Sequence, residues 1–270
     1  MLDQLLFLSV FLLGAIVGSF LNCVIYRLET GGNFLKGRSF CPLCKKELAW
    51  QDLFPIFSFI FLKGKCRYCQ QKISWQYPLV EIAAGTIFLL VFKLFFLNSE
   101  VLLADCLGLL YYWTIAAFLI VIFVYDLKHY IIPDKIIYPA IIVSGAWYLI
   151  SGIFFNSYAG YGMLNTAYAA LGAAAFFLFI VLVSRGRWMG AGDIKLAFLM
   201  GLILGWPGIL AALLLAFYLG AIIGVGLMIL KKKELKSEVP FAPFLVVGTF
   251  LILFWENELL DWYQAIFLLK

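Results

Sequence analysis

Asp126 closes the run Phe123-Val124-Tyr125-Asp126, and Asp193 follows Gly190-Ala191-Gly192, in a chain whose residues are 65% apolar and only 13% charged. An ionised carboxylate at membrane depth costs about 2.5–3.5 kcal/mol at the centre of a spanning helix, so an acid kept in such a setting marks a functional site. Two carboxylates about 3 Å apart cannot both ionise, and the pair then shares one proton. The charged member can act as general base on a water, while the protonated member polarises a scissile carbonyl and helps the amine leave. That is the chemistry of an aspartic hydrolase. The only histidine is His129, which excludes an H-E-x-x-H zinc site and leaves a Ser–His or Cys–His device no other residue to use.

Each acid also has a plainer reading. Asp126 could be an interfacial acid paired with Lys128 or His129. Asp193 could be the N-cap of the next helix, which is compatible with catalysis, and its glycines allow close approach to a neighbour. Asp134, after Pro133, is expected as a cap or first-turn acid. Glu81 is expected in the first turn of the second span, and Lys195 either steadies Asp193 or marks the inner face. His129 reads as a solvated interfacial residue.

The elements that must position these residues are apolar helices. A mean hydropathy of +1.02 excludes an ordinary soluble domain. Eight spans are expected, at 4–26, 78–97, 106–125, 134–153, 163–183, 193–205, 208–230 and 241–260. The fold class is an all-α polytopic membrane protein with about eight transmembrane helices and a small zinc-ribbon-like cytoplasmic loop domain. Three regions follow: a first transmembrane helix at 1–28, a four-cysteine domain at 29–77, and a multi-helix membrane region at 78–270. The first span lacks a basic n-region and a small-residue cleavage pattern, so it is expected to be retained. Tyr and Trp near span ends, among them Trp75, Tyr111, Trp113 and Trp255, are expected as interfacial belt anchors.

Eighteen of the twenty Lys and Arg lie on one set of alternating loops. The positive-inside rule makes those loops cytoplasmic, puts the N-terminus outside, and brings Asp126 and Asp193 to one shared cytoplasmic edge. The net charge of +5 is thus topological. It does not point to nucleic acid, and a basic inner face suits anionic membrane lipids.

Cys41-Pro42-Leu43-Cys44 and Cys66-Arg67-Tyr68-Cys69 stand twenty-one residues apart in the one substantial polar segment. That spacing lets Cys41, Cys44, Cys66 and Cys69 surround one tetrahedral structural zinc, whose binding would supply folding energy that so small a segment lacks. Lys45, Lys46, Lys65 and Arg67 would offset the charge of four thiolates. Two disulfides or a redox C-x2-C are the alternatives, and a cytoplasmic setting counts against the disulfides. Cys23 and Cys106 read as small buried hydrophobes.

In this order the motifs resemble the bacterial type IV prepilin peptidases, membrane aspartic peptidases of the Gly-x-Gly-Asp type. The resemblance begins with Gly18-Ser19-Phe20-Leu21-Asn22-Cys23-Val24-Ile25-Tyr26-Arg27-Leu28 and runs through the paired knuckles, with Leu48-Ala49-Trp50 and Pro55-Ile56-Phe57-Ser58 between them. It continues through Tyr77-Pro78-Leu79-Val80-Glu81, Asp126 with Ile132-Pro133-Asp134, Gly190-Ala191-Gly192-Asp193-Ile194-Lys195-Leu196, and Pro240-Phe241-Ala242-Pro243-Phe244-Leu245. Cys23 stands where Val is usual, and Ala242 where Gly is common.

The resemblance implies that Asp126 and Asp193 are the catalytic acids and that Asp134 is structural. It implies cleavage after the glycine of a short basic leader of prepilins or pseudopilins, which serve type IV pili or protein secretion, at the bacterial inner membrane. It further implies N-methylation of the new N-terminus from S-adenosylmethionine, because members with the cysteine loop are typically bifunctional. No G-x-G-x-x-G fingerprint supports methyl transfer independently. Two rivals remain. One is a presenilin- or preflagellin-type intramembrane protease, which shares Tyr-Asp and Gly-x-Gly-Asp but lacks methyl transfer. The other is a proton-coupled transporter, which would show inverted repeats; the sequence shows none.

Overall fold

The structure is a computed structural model that describes residues 2–32, 37–96, 103–152, 162–230 and 239–267. Its helices are α1 (Leu2–Thr30), α2 (Phe57–Phe61), α3 (Gln76–Phe96), α4 (Leu103–His129), α5 (Asp134–Ile150), α6 (Met163–Ser184), α7 (Ala191–Leu204), α8 (Gly208–Ile229) and α9 (Ala242–Phe267), with one 3₁₀ turn at Trp50–Leu53. The only pairings of strand type among the described residues are two isolated bridges in the cysteine segment.

A helix occupies each of the eight expected spans. Five of them, α1, α3, α4, α6 and α8, are long and apolar enough to cross a membrane. α5 has 17 residues, α7 has 14, and the apolar part of α9 is Ala242–Glu256, with non-helical dihedrals at Trp255. The lysines at 231, 232, 233 and 236, and most of the outer loops used in charge counting, lie outside the described residues.

The chain divides into two compact units, Met1–Val121 and Ile122–Lys270. In the first, α1 and α3 form an antiparallel hairpin: Phe7 meets Phe92 with ring centroids 6.3 Å apart, and Asn22 Nδ2 donates to Tyr77 O at 3.1 Å. Small residues bring the two backbones together, as membrane helices require when no water drives them to pack. A Cβ at Gly14 would lie 2.8 Å from Ala84 O, and one at Gly18 would lie 2.8 Å from Glu81 Cα. The cysteine segment joins the open end of this hairpin. Trp113 and Tyr111, expected as belt anchors, make contacts within this unit. Trp113 Nε1 donates to Phe88 O at 3.0 Å and its ring stacks on Phe88, while Tyr111 is buried.

In the second unit α7 is central, packing against α5, α6, α8 and α9. Leu196, Ala197, Leu199 and Met200 are completely buried, which accounts for the run of apolar residues after Lys195. Its closest neighbour is α6, where a Cβ at Gly201 would sit 2.3 Å from Ala170 Cα. Beside it, Phe177 of α6, Phe217 of α8 and Phe241 at the start of α9 cluster, with the Phe217 and Phe241 rings 5.0 Å apart.

Candidate active site and metal centre

Asp126 lies one turn before the end of α4, where Tyr130 adopts a left-handed φ of 58° and donates its N–H back to Asp126 O at 2.9 Å. The Asp126 side chain points inward, 4% exposed, and its carboxylate accepts from the backbone N–H of Ala242, the first residue of α9. Phe241 fixes that amide by seating its ring in the aromatic cluster. Asp126 is therefore not the interfacial partner of a neighbouring cation.

Asp193 is the third residue of α7, not its N-cap. The cap is Gly190, whose N–H donates to Asp193 Oδ2 at 3.1 Å, while Asp193 N–H donates to Gly190 O at 3.2 Å. An acid at this position returning to the cap amide also suits the positive end of the helix dipole. Gly192 has a separate task. A Cβ there would lie 3.0 Å from Ile132 Cβ, so glycine lets α7 pack closely against the loop that follows Asp126 without pushing Ile132 aside.

The two acids line one cleft of about 620 Å³. Arg187, Trp188 and Met189, from the turn before α7, and Val239 to Phe241, before α9, complete its walls. Asp126 is thus held by the first amide of α9 and Asp193 by the cap amide of α7, with carboxylate oxygen left for a ligand. Such an arrangement can share a proton and activate water.

Asp134 heads the first turn of α5 as expected. Its Oδ1 accepts from Lys195 Nζ at 2.6 Å, and Lys195 also lies over the Tyr138 ring at 4.7 Å. Lys195 therefore ties α5 to α7 and does not steady Asp193. Glu81 sits in the second turn of α3, one turn deeper than expected, and accepts from Ile56 N–H at 2.7 Å. Sequence reasoning missed the Ala242 amide. The Pro240-Phe241-Ala242-Pro243 run was the available signal, but backbone groups carry no residue identity.

The four expected metal ligands come together, with the sulfurs of Cys41, Cys44, Cys66 and Cys69 all within 4.8 Å of one another. Cys41 Sγ and Cys69 Sγ are 3.9 Å apart, close to the ~3.8 Å edge of a tetrahedron with 2.3 Å zinc–sulfur bonds and far beyond a disulfide. The two knuckles repeat one hydrogen-bond pattern. Cys41 N–H donates to Lys46 O and Lys45 N–H to Cys41 O; Cys66 N–H donates to Gln71 O and Gln70 N–H to Cys66 O. Lys45 and Gln70 take matching left-handed φ values of 60° and 58°.

Without a cation, the Gln71 amide draws the Cys69 thiol down, but burial and the three neighbouring thiols outweigh it and push Cys69 up to about 11. A divalent metal would reverse that balance. The nearby cations have other partners: Arg67 Nε donates to Asp52 at 2.6 Å, and Lys46 covers the Tyr68 ring at 4.5 Å. Cys23 and Cys106 are half-buried thiols.

Comparison with known proteins gives the family. Residues 12–95 match the model of the Bacterial Peptidase A24 N-terminal domain, and residues 113–225 match that of the Type IV leader peptidase family. The chain is 30% identical to the prepilin leader peptidase/N-methyltransferase of Aeromonas salmonicida (strain A449), over 98% of this chain and 96% of that protein. The protein of the same name from Bacillus subtilis (strain 168) is 30% identical over 94% and 96%, and that from Klebsiella pneumoniae 35% over 76% and 88%. No solved structure matches.

Proposed function

The chain belongs to the type IV leader peptidase family, and on that premise we propose that Asp126 and Asp193 are the acids with which it removes prepilin leaders. The protein is a multi-pass membrane aspartic endopeptidase acting on prepilins, with an N-methyltransferase activity carried by the same chain. The name its relatives share favours this reading over a protease without methyl transfer and over a transporter.

One observation carries the assignment of the acids: both line a single cleft, and each is oriented by a backbone amide where a helix begins. Water bound between them loses a proton to the ionised carboxylate and attacks the scissile carbonyl, whose oxygen the protonated partner polarises. That proton then passes to the departing amine. We assign the bond to the one after the glycine of a basic leader, with the apolar helix of the prepilin or pseudopilin held in the bilayer. The eight long helices would then all span the bacterial inner membrane, with residues 78–270 forming the peptidase region and the cleft opening on the cytoplasmic face. Positive-inside counting supports that orientation.

Residues 29–77 form a zinc ribbon in this reading, with Cys41, Cys44, Cys66 and Cys69 as ligands; the metal would supply folding energy to a segment with little core. S-adenosylmethionine would be the methyl donor, a reading that rests on the relatives' name, and no residue is assigned to it.

Purified protein in detergent or lipid, given a model prepilin, tests the acids. Asp126→Asn and Asp193→Asn should each lower cleavage by about 10²–10⁴-fold or more, the usual contribution of a general acid or base. Full activity in either variant refutes the pair.

A further inference from the structure

Between its two knuckles the cysteine segment carries an outward apolar surface. Leu53, Phe54, Phe57, Ile60 and Phe61 are all exposed, Phe61 to 81%. Phe57, Ile60 and Phe61 fall at i, i+3 and i+4 of α2 and so share a face. The opposite face is already occupied, since the Phe59 ring packs on Trp75 at 5.0 Å. A stripe at helical spacing normally turns to the core, and one turned outward marks a surface that meets something apolar.

Two attachments set the depth of this surface. The N–H of Ile56, the residue that caps α2, donates to Glu81 Oε2 at 2.7 Å. Ile56 accepts a positive φ of 63° to make that bond, a conformation that costs a β-branched residue dearly. Glu81 lies five residues, or about 7.5 Å, inside α3, a helix long and apolar enough to span the bilayer. Trp75, the partner of Phe59, immediately precedes α3. Both bonds place α2 at the level where α3 enters the membrane, not out in water.

The charge is complementary to lipid. Lys63 and Lys65 follow α2 and are exposed, while the acid beside this surface, Asp52, is neutralised by Arg67. We propose that Leu53–Phe61 is an interfacial anchor that seats in the headgroup boundary of an anionic phospholipid bilayer, with Lys63 and its basic neighbours on the phosphates. The zinc ribbon is then held flat against the membrane by its own middle. The rival occupant, the apolar helix of a substrate, becomes an outcome of the test.

Full-length protein would carry a photoreactive p-benzoylphenylalanine at Phe57, at Phe61, or at the exposed Gln70 as control, and be placed in nanodiscs containing phosphatidylglycerol. One zinc per chain certifies each variant as folded, and Ile60 replaces either position that fails this check. Illumination should give lipid adducts from Phe57 and Phe61 but not from Gln70, with equal yield with and without prepilin. Replacing phosphatidylglycerol by phosphatidylcholine should lower the yield. Adducts to prepilin alone, or a lipid yield no higher than at Gln70, would overturn the anchor. An unchanged yield in the neutral lipid would overturn the role given to Lys63 and its neighbours.

Discussion

Ala242 contributes to the cleft only its backbone N–H, so its role is separable from its side chain. Ala242→Gly keeps the amide and should leave cleavage near normal. Ala242→Pro removes it at the first position of a helix, where proline is otherwise tolerated, after Phe241, which already precedes the helix. A hydrogen bond to a charged group is worth about 1.5–3 kcal/mol, so the Pro variant should lose about 10–100-fold in kcat while keeping its thermal midpoint, read by a thiol-independent unfolding assay. An equal loss in both variants would mean that packing, not the N–H, matters. The acids themselves were legible because an ionisable residue in an apolar run is chemically conspicuous. Their anchoring was not. Asp193 was expected as a cap but reaches back to one, because the three-residue offset from Gly190 to Asp193 is a property of where α7 starts, and glycine as a cap leaves no side-chain signal.

At the scale of the elements, the approach of α7 to α6 controls where Asp193 lies. Gly201 has no space for a side chain against Ala170, whereas a Cβ at Gly224 in α8 would meet nothing within 4 Å. Gly201→Leu should therefore destabilise by about 1–3 kcal/mol or more through overpacking and displace the carboxylate, lowering both the thermal midpoint and cleavage. Gly224→Ala should stay within about 1 kcal/mol of the parent with unchanged activity. A Gly201 variant that retained both properties would show that α7 is not positioned by this contact. The existence of every long helix could be read from apolar runs, since the pattern is strong over twenty residues. The centrality of α7 could not. Apolar residues lie on all sides of its 14 positions, and a pattern with no dominant face does not say which neighbour each side meets.

For the molecule as a whole, charge asymmetry and cysteine spacing carried most of what could be read. The sulfurs of the two knuckles lie within 4.8 Å of one another, the clustering that paired C-x2-C spacing leads one to expect. Elemental analysis should find one zinc per chain, and Ser at Cys41, Cys44, Cys66 or Cys69 should release it. Binding requires thiolates, and the bare Cys69 thiol keeps its proton up to about 11. Protons therefore compete with the metal: zinc affinity should rise with pH and fall on acidification, measured by release to a chromogenic chelator between mildly acidic and neutral buffers. Retention independent of pH would argue against thiolate ligation. The outward face of α2 was not legible, because Pro55-Ile56-Phe57-Ser58 was seen only as part of a motif and the Ile56–Glu81 bond joins residues twenty-five positions apart.

The link from the Gly190 N–H to the Asp193 carboxylate makes the stretch between them a ruler. Each helical residue turns the chain by about 100° and advances it by 1.5 Å, so one residue added inside Gly190–Asp193 would swing the carboxylate away from Asp126 however well α7 still packed. The exposed turn at Arg185–Trp188 keeps no such measure. Length before Gly190 reshapes the wall that Arg187, Trp188 and Met189 build, whereas length after it re-aims the acid itself.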